Sequence, residues 1–212
     1  MVHTSYFLPE NLTYVGPSVD DPDLLKRMPP GLGSLLDSVN GFVAFRGGLH
    51  VRGVCETPEW HSLQKAWTGS HALSRLYPLR MKGDDIPFGQ DCFGDQFVLR
   101  EGNVWKLWAE TGEVEPLDTS VPGFLGAAIE DPIGYLQLQP LERFLEQGGN
   151  LPPGSLLHAF PPFSSKEARL GVTMSPVPAL EAISYLAALA AKLGRLGEGD
   201  ALKVEPIEPP GQ

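Results

Sequence analysis

Four aspartates are the residues whose types and spacing most directly suggest chemistry: Asp84, Asp85, Asp91 and Asp95, in the stretch DDIPFGQDCFGD. A calcium loop needs alternating oxygen ligands and a late bidentate glutamate, and this stretch supplies neither. Two paired carboxylates could serve acid–base catalysis if burial raised the pKa of one of them. Asp91 and Asp95 also lie on either side of Gly94, where aspartate side chains commonly cap the backbone of a tight turn. Both interpretations, a catalytic pair and a turn cap, stay open.

Other groups that could do chemistry are scattered along the chain. The five histidines follow no metal-ligand spacing, and Cys55 and Cys92 follow neither metal nor redox spacing, so we expect reduced thiols. The sequence has no nucleophile elbow, phosphate loop, zinc-protease helix or full dinucleotide fingerprint. We therefore predict a protein that is not an enzyme and has no metal ion or cofactor. An unrecognised hydrolase would need an acid–base pair in a pocket.

Negative charge is concentrated in one part of the chain. The net charge is −10, and residues 83–142 alone contain twelve acidic and two basic residues. Residues 43–82 contain six basic and two acidic residues instead. This asymmetry is typical of a solvated surface, and also of an electrostatic face that attracts a basic partner and repels nucleic acid. Because the aromatic residues of the acidic segment have acidic neighbours, we expect no nucleic-acid partner.

The acidic segment is predicted to lie on a small sheet. Residues 94–117 read as a meander of three short antiparallel strands, with turns near Gly102 and Gly112. A helix is predicted over 31–39, because leucines recur there at helical spacing, and we expect it to pack against the meander. Asn40-Gly41 should end this helix.

Further elements are predicted on both sides of the meander. A hairpin is expected about Gly47-Gly48, and a helix that contains Trp60, Leu63 and Trp67 should follow it. After the meander, the sequence predicts one or two helices within 120–149 and then a Pro- and Ser-rich connection with a single strand at 169–174. An amphipathic helix over 178–193 and a closing edge strand at 201–207 complete the list.

The length and composition indicate one main core with an appended segment. The chain has 212 residues, of which 42% are hydrophobic. The first residues do not combine a basic start with an apolar run, and the longest apolar stretch, 182–191, is too short to cross a bilayer. We therefore expect a cytoplasmic protein without a membrane partner. The predicted divisions are a lead-in at 1–27, a main domain at 28–149 and a C-terminal extension at 150–212, packed on the main domain.

An ordered series of motifs resembles the SUKH superfamily. The helix that ends at Asn40-Gly41 is followed by Phe42 and a Gly-Gly turn, and then by IPFGQDCFGDQFVL, GNVWKLWAETGEV and SVPGFLGAAI. The resemblance covers roughly residues 28–147, and it depends on the order of the motifs, since none is specific alone. The chain departs from the superfamily in a long insert at 56–82 and in the segment 150–212, to which the resemblance does not extend.

The resemblance implies a fold and a class of function. SUKH domains are α+β, with a mixed or mainly antiparallel sheet wrapped by helices, and here a C-terminal α/β extension would be added. Many bacterial members are immunity proteins that neutralise a cognate toxin, often a nuclease, whereas the yeast cell-wall-assembly regulators are interaction scaffolds. No catalytic residue is implied, so we predict a protein-binding module, most directly an immunity protein, with a scaffold as the alternative. One of Trp105 and Trp108 should be an exposed anchor, since the two point to opposite faces of a regular strand. The predicted partner contacts are Asp84, Asp85, Asp91, Asp95, Trp105, Trp108, Glu110, Glu113 and Glu115.

Overall fold

The structure is a computed structural model that describes residues 12–196, 202 and 204–207. Seven strands form one antiparallel sheet in chain order, and two more form a separate antiparallel hairpin. The α+β fold class with a mainly antiparallel sheet is therefore confirmed. The sheet consists of β1 (Tyr14–Val15), β2 (Phe42–Ala44), β3 (Leu49–Val51), β4 (Ile86–Asp91), β5 (Gln96–Arg100), β6 (Asn103–Leu107) and β7 (Val114–Pro116), and the hairpin of β8 (Ser155–Phe160) and β9 (Thr173–Pro178).

The helices lie before, between and after these strands. Those in the first half of the described chain are α1 (Pro22–Lys26), α2 (Pro30–Ser38), α3 (Leu63–Trp67) and α4 (Leu73–Leu76). Those that follow the sheet are α5 (Val121–Glu130), α6 (Pro132–Tyr135), α7 (Gln139–Glu146) and α8 (Ala179–Leu193).

The predicted meander is confirmed as β5, β6 and β7. Val98 of β5 lies opposite Trp105 of β6, and all three strands run antiparallel. The two turns contain Gly102 and Gly112, whose φ values of 84° and 73° lie in the left-handed region that glycine tolerates best. The expected helix is also present as α2, and Leu32 is buried in the same cluster as residues of the meander.

Both faces of the meander are covered. In a strand, successive side chains point to opposite faces. Phe97 and Leu99 of β5 therefore lie in the cluster that includes α2 and α5, whereas Val98 lies in a second cluster with Ile183 and Ala187 of α8. The C-terminal helix thus buries its apolar stripe against the sheet, on the side opposite α2.

Several predicted elements are wrong. The single helix through Trp60 and Trp67 is broken, because Trp60 lies in a short 3₁₀ turn and the Ser62 side chain caps a new helix by accepting from the Lys65 N–H. Residues 120–149 form three helices, since the Asp131 side chain caps α6 and ends the run of α5. The strand predicted at 169–174 is misplaced, because Glu167–Leu170 form a 3₁₀ turn and β9 begins only at Thr173, and its hairpin partner β8 was not predicted at all.

The strand predicted at 201–207 is also wrong for the residues of that range that the structure describes. Residues 202 and 204–207 form no strand, and the remainder of 201–207 lies outside the described residues. Most of the predicted lead-in, 12–27, is described and contains β1 and α1, while 1–11 lie outside the described part. The boundary after residue 149 stays a prediction.

Candidate functional site

A hollow of about 610 Å³ opens where the acidic segment meets the C-terminal hairpin. It lies between the turn after β4, the end of β6, α7 and the loop that joins β8 to β9. Its volume is in the range of ordinary ligand pockets. We call it the acidic hollow, and it is lined by Asp91, Phe93, Asp95, Lys106, Trp108, Glu110, Thr111, Glu113, Leu136, Gln137, Gln139, Pro140, Arg143, Phe163 and Ser164.

The floor of the hollow is built by a capped turn. The Asp91 Oδ1 accepts hydrogen bonds from the backbone N–H groups of Phe93 at 2.9 Å and Asp95 at 3.1 Å. The Asp95 Oδ1 accepts from the Ala109 N–H at 2.8 Å. Gly94 has a φ of 95°, and a Cβ there would lie 2.7 Å from Leu186 of α8, so the turn accepts only glycine without strain. The predicted turn cap is therefore correct for Asp91, whereas the Asp95 side chain binds the backbone of Ala109, fourteen residues further along the chain.

Lys106 gives the same floor an ion-pair cluster. Its Nζ lies 2.9 Å from the Asp95 Oδ2, 3.6 Å from the Asp91 Oδ2 and 3.7 Å from the centre of the Trp108 ring. Burial would lower the pKa of Lys106, but the two carboxylates outweigh it and the net shift is upward. The ammonium therefore stays charged and lies between two carboxylates and an aromatic face.

Asp91 is the more perturbed carboxyl of the cluster. Its burial, together with the charge of Asp95, raises its pKa to about 7, although Lys106 and the two backbone N–H groups act in the opposite direction. Burial and the charge of Asp95 prevail, because Lys106 lies closer to Asp95 than to Asp91. The hollow thus contains a pair of titratable groups, Asp91 and Lys106, of the kind that a hydrolase would require in a pocket.

The upper part of the hollow is held by Glu110. Its two carboxylate oxygens accept from the N–H groups of Phe163 at 3.0 Å and Ser164 at 2.7 Å, in the loop between β8 and β9. The Phe163 ring packs edge-on against Phe93, with centroids 5.3 Å apart. The C-terminal segment therefore supplies one aromatic wall of the hollow, and the meander supplies the other wall through Trp108.

The structure brings five of the nine predicted contact residues to the hollow and separates the other four from it. The five that line it are Asp91, Asp95, Trp108, Glu110 and Glu113. Of the others, Asp84 and Glu115 are exposed elsewhere. Asp85 is buried, because both its oxygens accept from the Arg100 guanidinium at 2.7 Å, so its assignment to a contact surface is wrong. Asp91 is also buried, with 2% of its surface exposed, although it lines the hollow.

The prediction for the two tryptophans is wrong as well. Both are half-buried, so neither is a fully exposed anchor. The Arg100 guanidinium covers the Trp105 ring at 4.9 Å, and Lys106 covers Trp108. Long basic side chains thus shield both rings, which a strand pattern alone does not reveal.

Lys106, Arg143 and Phe163 are among the ten lining residues that the sequence analysis did not predict. Lys106 had a visible signal, since it is one of only two bases within the acidic segment. Arg143 and Phe163 come from α7 and from the loop after β8, and no local pattern connects these distant segments with the aspartates.

A second buried polar cluster lies beside the sheet centre. The Arg52 guanidinium donates only to neutral acceptors, namely the Pro87 and Gly89 carbonyls and the side-chain oxygens of Gln90 and Gln96. Burial lowers the pKa of Arg52 to about 9. These contacts join β3 to β4 and β5, which indicates a structural role.

The part of the chain that the structure describes contains neither a group of metal ligands nor a helix that could span a membrane. There, His, Cys, Asp and Glu side chains form no group of three or more that could hold a metal ion. Within the same residues, no helix is both long and apolar enough to cross a bilayer.

The fold and the site define an α+β protein with a mainly antiparallel sheet and a polar hollow at its edge. No family model and no curated protein matches the chain. Among solved structures, it is similar to the crystal structure of Atu4351 from Agrobacterium tumefaciens, with a TM-score of 0.51 and 17% identity over 85% of this chain and 84% of that one. At this level of identity the similarity concerns the fold alone, and it supports the α+β class.

Proposed function

We propose that the protein is a SUKH-like binding module, and more specifically a cytoplasmic immunity protein that neutralises a cognate bacterial toxin such as a nuclease. The observation that carries this proposal is the acidic hollow, most of whose lining residues belong to the segment 83–142 with its twelve acidic and two basic residues. Enzymes that cut nucleic acid need basic substrate clefts, because their substrate carries a charge on every phosphate. An acidic surface is complementary to such a cleft.

The exposed carboxylates of the acidic segment would guide the approach of the toxin. Asp84, Glu113 and Glu115 are exposed. Charges of this kind mainly accelerate association, and their effect weakens as salt screens them. Asp85 and Asp91 are not counted among these steering charges, since both are buried and engaged within the protein.

The test is protection of bacterial growth by co-expression with the toxin encoded beside this protein. A variant that combines Asp84→Lys, Glu113→Lys and Glu115→Lys should lose most protection, because like charges would then meet across the interface. A control with Asp37→Lys, Glu167→Lys and Glu181→Lys makes the same change in net charge at exposed positions outside the acidic segment. This control should protect like the wild type.

Each outcome discriminates between hypotheses. Equal protection by both triple variants would remove the acidic face from the mechanism. Failure of the wild type to protect would count against immunity and favour the alternative, an interaction scaffold of the same fold. Turnover of a substrate that is lost in an Asp91→Asn variant would favour an enzyme instead.

A further inference from the structure

We propose that the acidic hollow is the receptor for a single arginine side chain of the partner protein. This inference rests on the proposed function and adds to it the chemistry of the central contact. It depends on the charge of the lining, on its aromatic walls and on the position of Lys106.

The lining is negative overall, and part of its negative charge is not neutralised. It contains four carboxylates (Asp91, Asp95, Glu110 and Glu113) and two bases (Lys106 and Arg143). Lys106 is engaged by the two aspartates of the floor. Among the described residues, neither Glu110 nor Glu113 has a cationic partner within 4.0 Å. A second cation would therefore be attracted to this side of the hollow.

The aromatic walls favour a flat cation with an apolar stem. Phe93, Trp108 and Phe163 all line the hollow. Lys106 covers a face of the Trp108 ring at 3.7 Å from its centre, so the rings left for a guest cation are those of Phe93 and Phe163. A guanidinium stacks on aromatic rings and binds carboxylates through two parallel hydrogen bonds, whereas an ammonium is more strongly hydrated. Arginine is thus the better fit.

Arg143 is the one base of the lining that opposes a cationic guest. It lies on α7, is exposed, and has no carboxylate within 4.0 Å among the described residues. Its removal should strengthen cation binding, while removal of a rim carboxylate should weaken it. The hollow therefore permits two substitutions with opposite expected effects.

The experiment uses the full chain and an acetylated, amidated Gly-Ser-Arg-Ser-Gly peptide, with binding followed by the NMR signal of the Trp108 indole N–H. Matched peptides carry lysine or neutral citrulline in place of arginine. We expect weak binding, with a Kd on the order of 1 mM, and a loss of about tenfold or more for citrulline, which keeps the shape and lacks the charge. Lysine should bind more weakly than arginine.

Three variants make the test specific. Glu113→Gln should weaken the arginine peptide about two- to fivefold, and Arg143→Gln should tighten it by about twofold, as expected for exposed charges. Asp37→Asn is the matched control, because Asp37 is exposed on α2 and does not line the hollow. The affinity of this variant for the arginine peptide should be unchanged.

Two results would overturn the inference: equal binding of arginine and citrulline, or no indole shift at peptide concentrations well above the expected Kd. These outcomes are separable from the fate of the proposed function. Growth protection without peptide binding would retain immunity and move the contact elsewhere on the acidic face. Charge-dependent peptide binding without protection would retain the arginine receptor and reject the toxin as its partner.

Discussion

Asp91 is the residue whose protonation should respond most to its surroundings. Its pKa is raised from 3.8 to about 7, so the folded state holds a proton that the unfolded state releases. The stability gained in this way is fully present below about pH 4 and is lost as the pH rises through 7. Asp91→Asn keeps an oxygen that can accept from Phe93 and Asp95 and removes the buried charge. We expect the variant to gain stability relative to the wild type as the pH rises from 5 to 8, measured by thermal denaturation. The opposite trend would mean that attraction to Lys106 outweighs burial.

His61 should produce the reverse dependence. Its Nδ1 lies 2.8 Å from the His50 Nε2, and its Nε2 lies 3.1 Å from the Asn40 carbonyl, inside the protein. Burial lowers the pKa of His61 from 6.5 to about 4, with Arg52 acting in the same direction. Stability should therefore fall as the pH falls from 6.5 to 4, by about 3 kcal/mol. His61→Gln should flatten this dependence in chemical denaturation, whereas His71→Gln, at a partly exposed site, should leave it unchanged. Equal slopes in both variants would assign the acid sensitivity to other groups.

For single residues, the sequence predicted the roles that depend on residues nearby in the chain. It did not predict the roles that depend on residues far away in the chain. The capping role of Asp91 follows from its position beside the Gly94 turn, within a few residues of chain, whereas the Asp95 side chain binds the Ala109 N–H fourteen residues away. The burial of Asp85 depends on Arg100, fifteen positions away and on another strand. Only the register of the sheet decides such a contact.

Among the elements, β3 is connected to β4 and β5 by the buried guanidinium of Arg52, which directly follows β3. Arg52 reaches two carbonyls of β4 and the side-chain oxygens of Gln90 and Gln96. A lysine cannot reproduce the planar set of donors, so Arg52→Lys would leave buried acceptors without partners. We expect a loss of about 2–4 kcal/mol in urea denaturation. Arg75→Lys, at an exposed site, should change stability by less than about 0.5 kcal/mol. A small effect at Arg52 would indicate that water replaces the lost contacts.

The C-terminal hairpin and α8 form the second structural unit that can be tested. Ile183 and Ala187 of α8 bury Val98 and Leu107 of the meander. Deletion of residues 150–212 would expose this apolar face, so we expect a clearly lower melting temperature by circular dichroism. An unchanged melting temperature would identify the segment as an independent lobe or a partner-binding arm.

Elements with a strong periodic pattern were predictable, and elements defined by long-range pairing were not. The helix at α8 and the strands of the meander follow from spacing alone. β8 was missed because it lies in a Pro-rich segment, and its residues pair with β9 across a connection of twelve residues, 161–172.

For the whole molecule, the sequence indicated where charge accumulates and not how it is arranged. Residues 83–142 contain twelve acidic residues, yet two of the most prominent, Asp85 and Asp91, are buried. The hollow needs α7 and the β8–β9 loop to close it, and their approach depends on the complete fold. A local charge count therefore identified the segment that supplies most of the lining and did not identify the cavity itself.

The strand β5 has a consequence for how the protein opens. Its alternate residues belong to two separate apolar clusters, one with α2 and one with α8. The strand stays covered on one face unless both clusters dissolve, so its amides should exchange with deuterated water only when the entire molecule unfolds. Hydrogen exchange measured by mass spectrometry should find β5 slowest, with a protection free energy equal to that of global unfolding. Faster exchange at β5 than at α2 would show that the C-terminal layer detaches by itself.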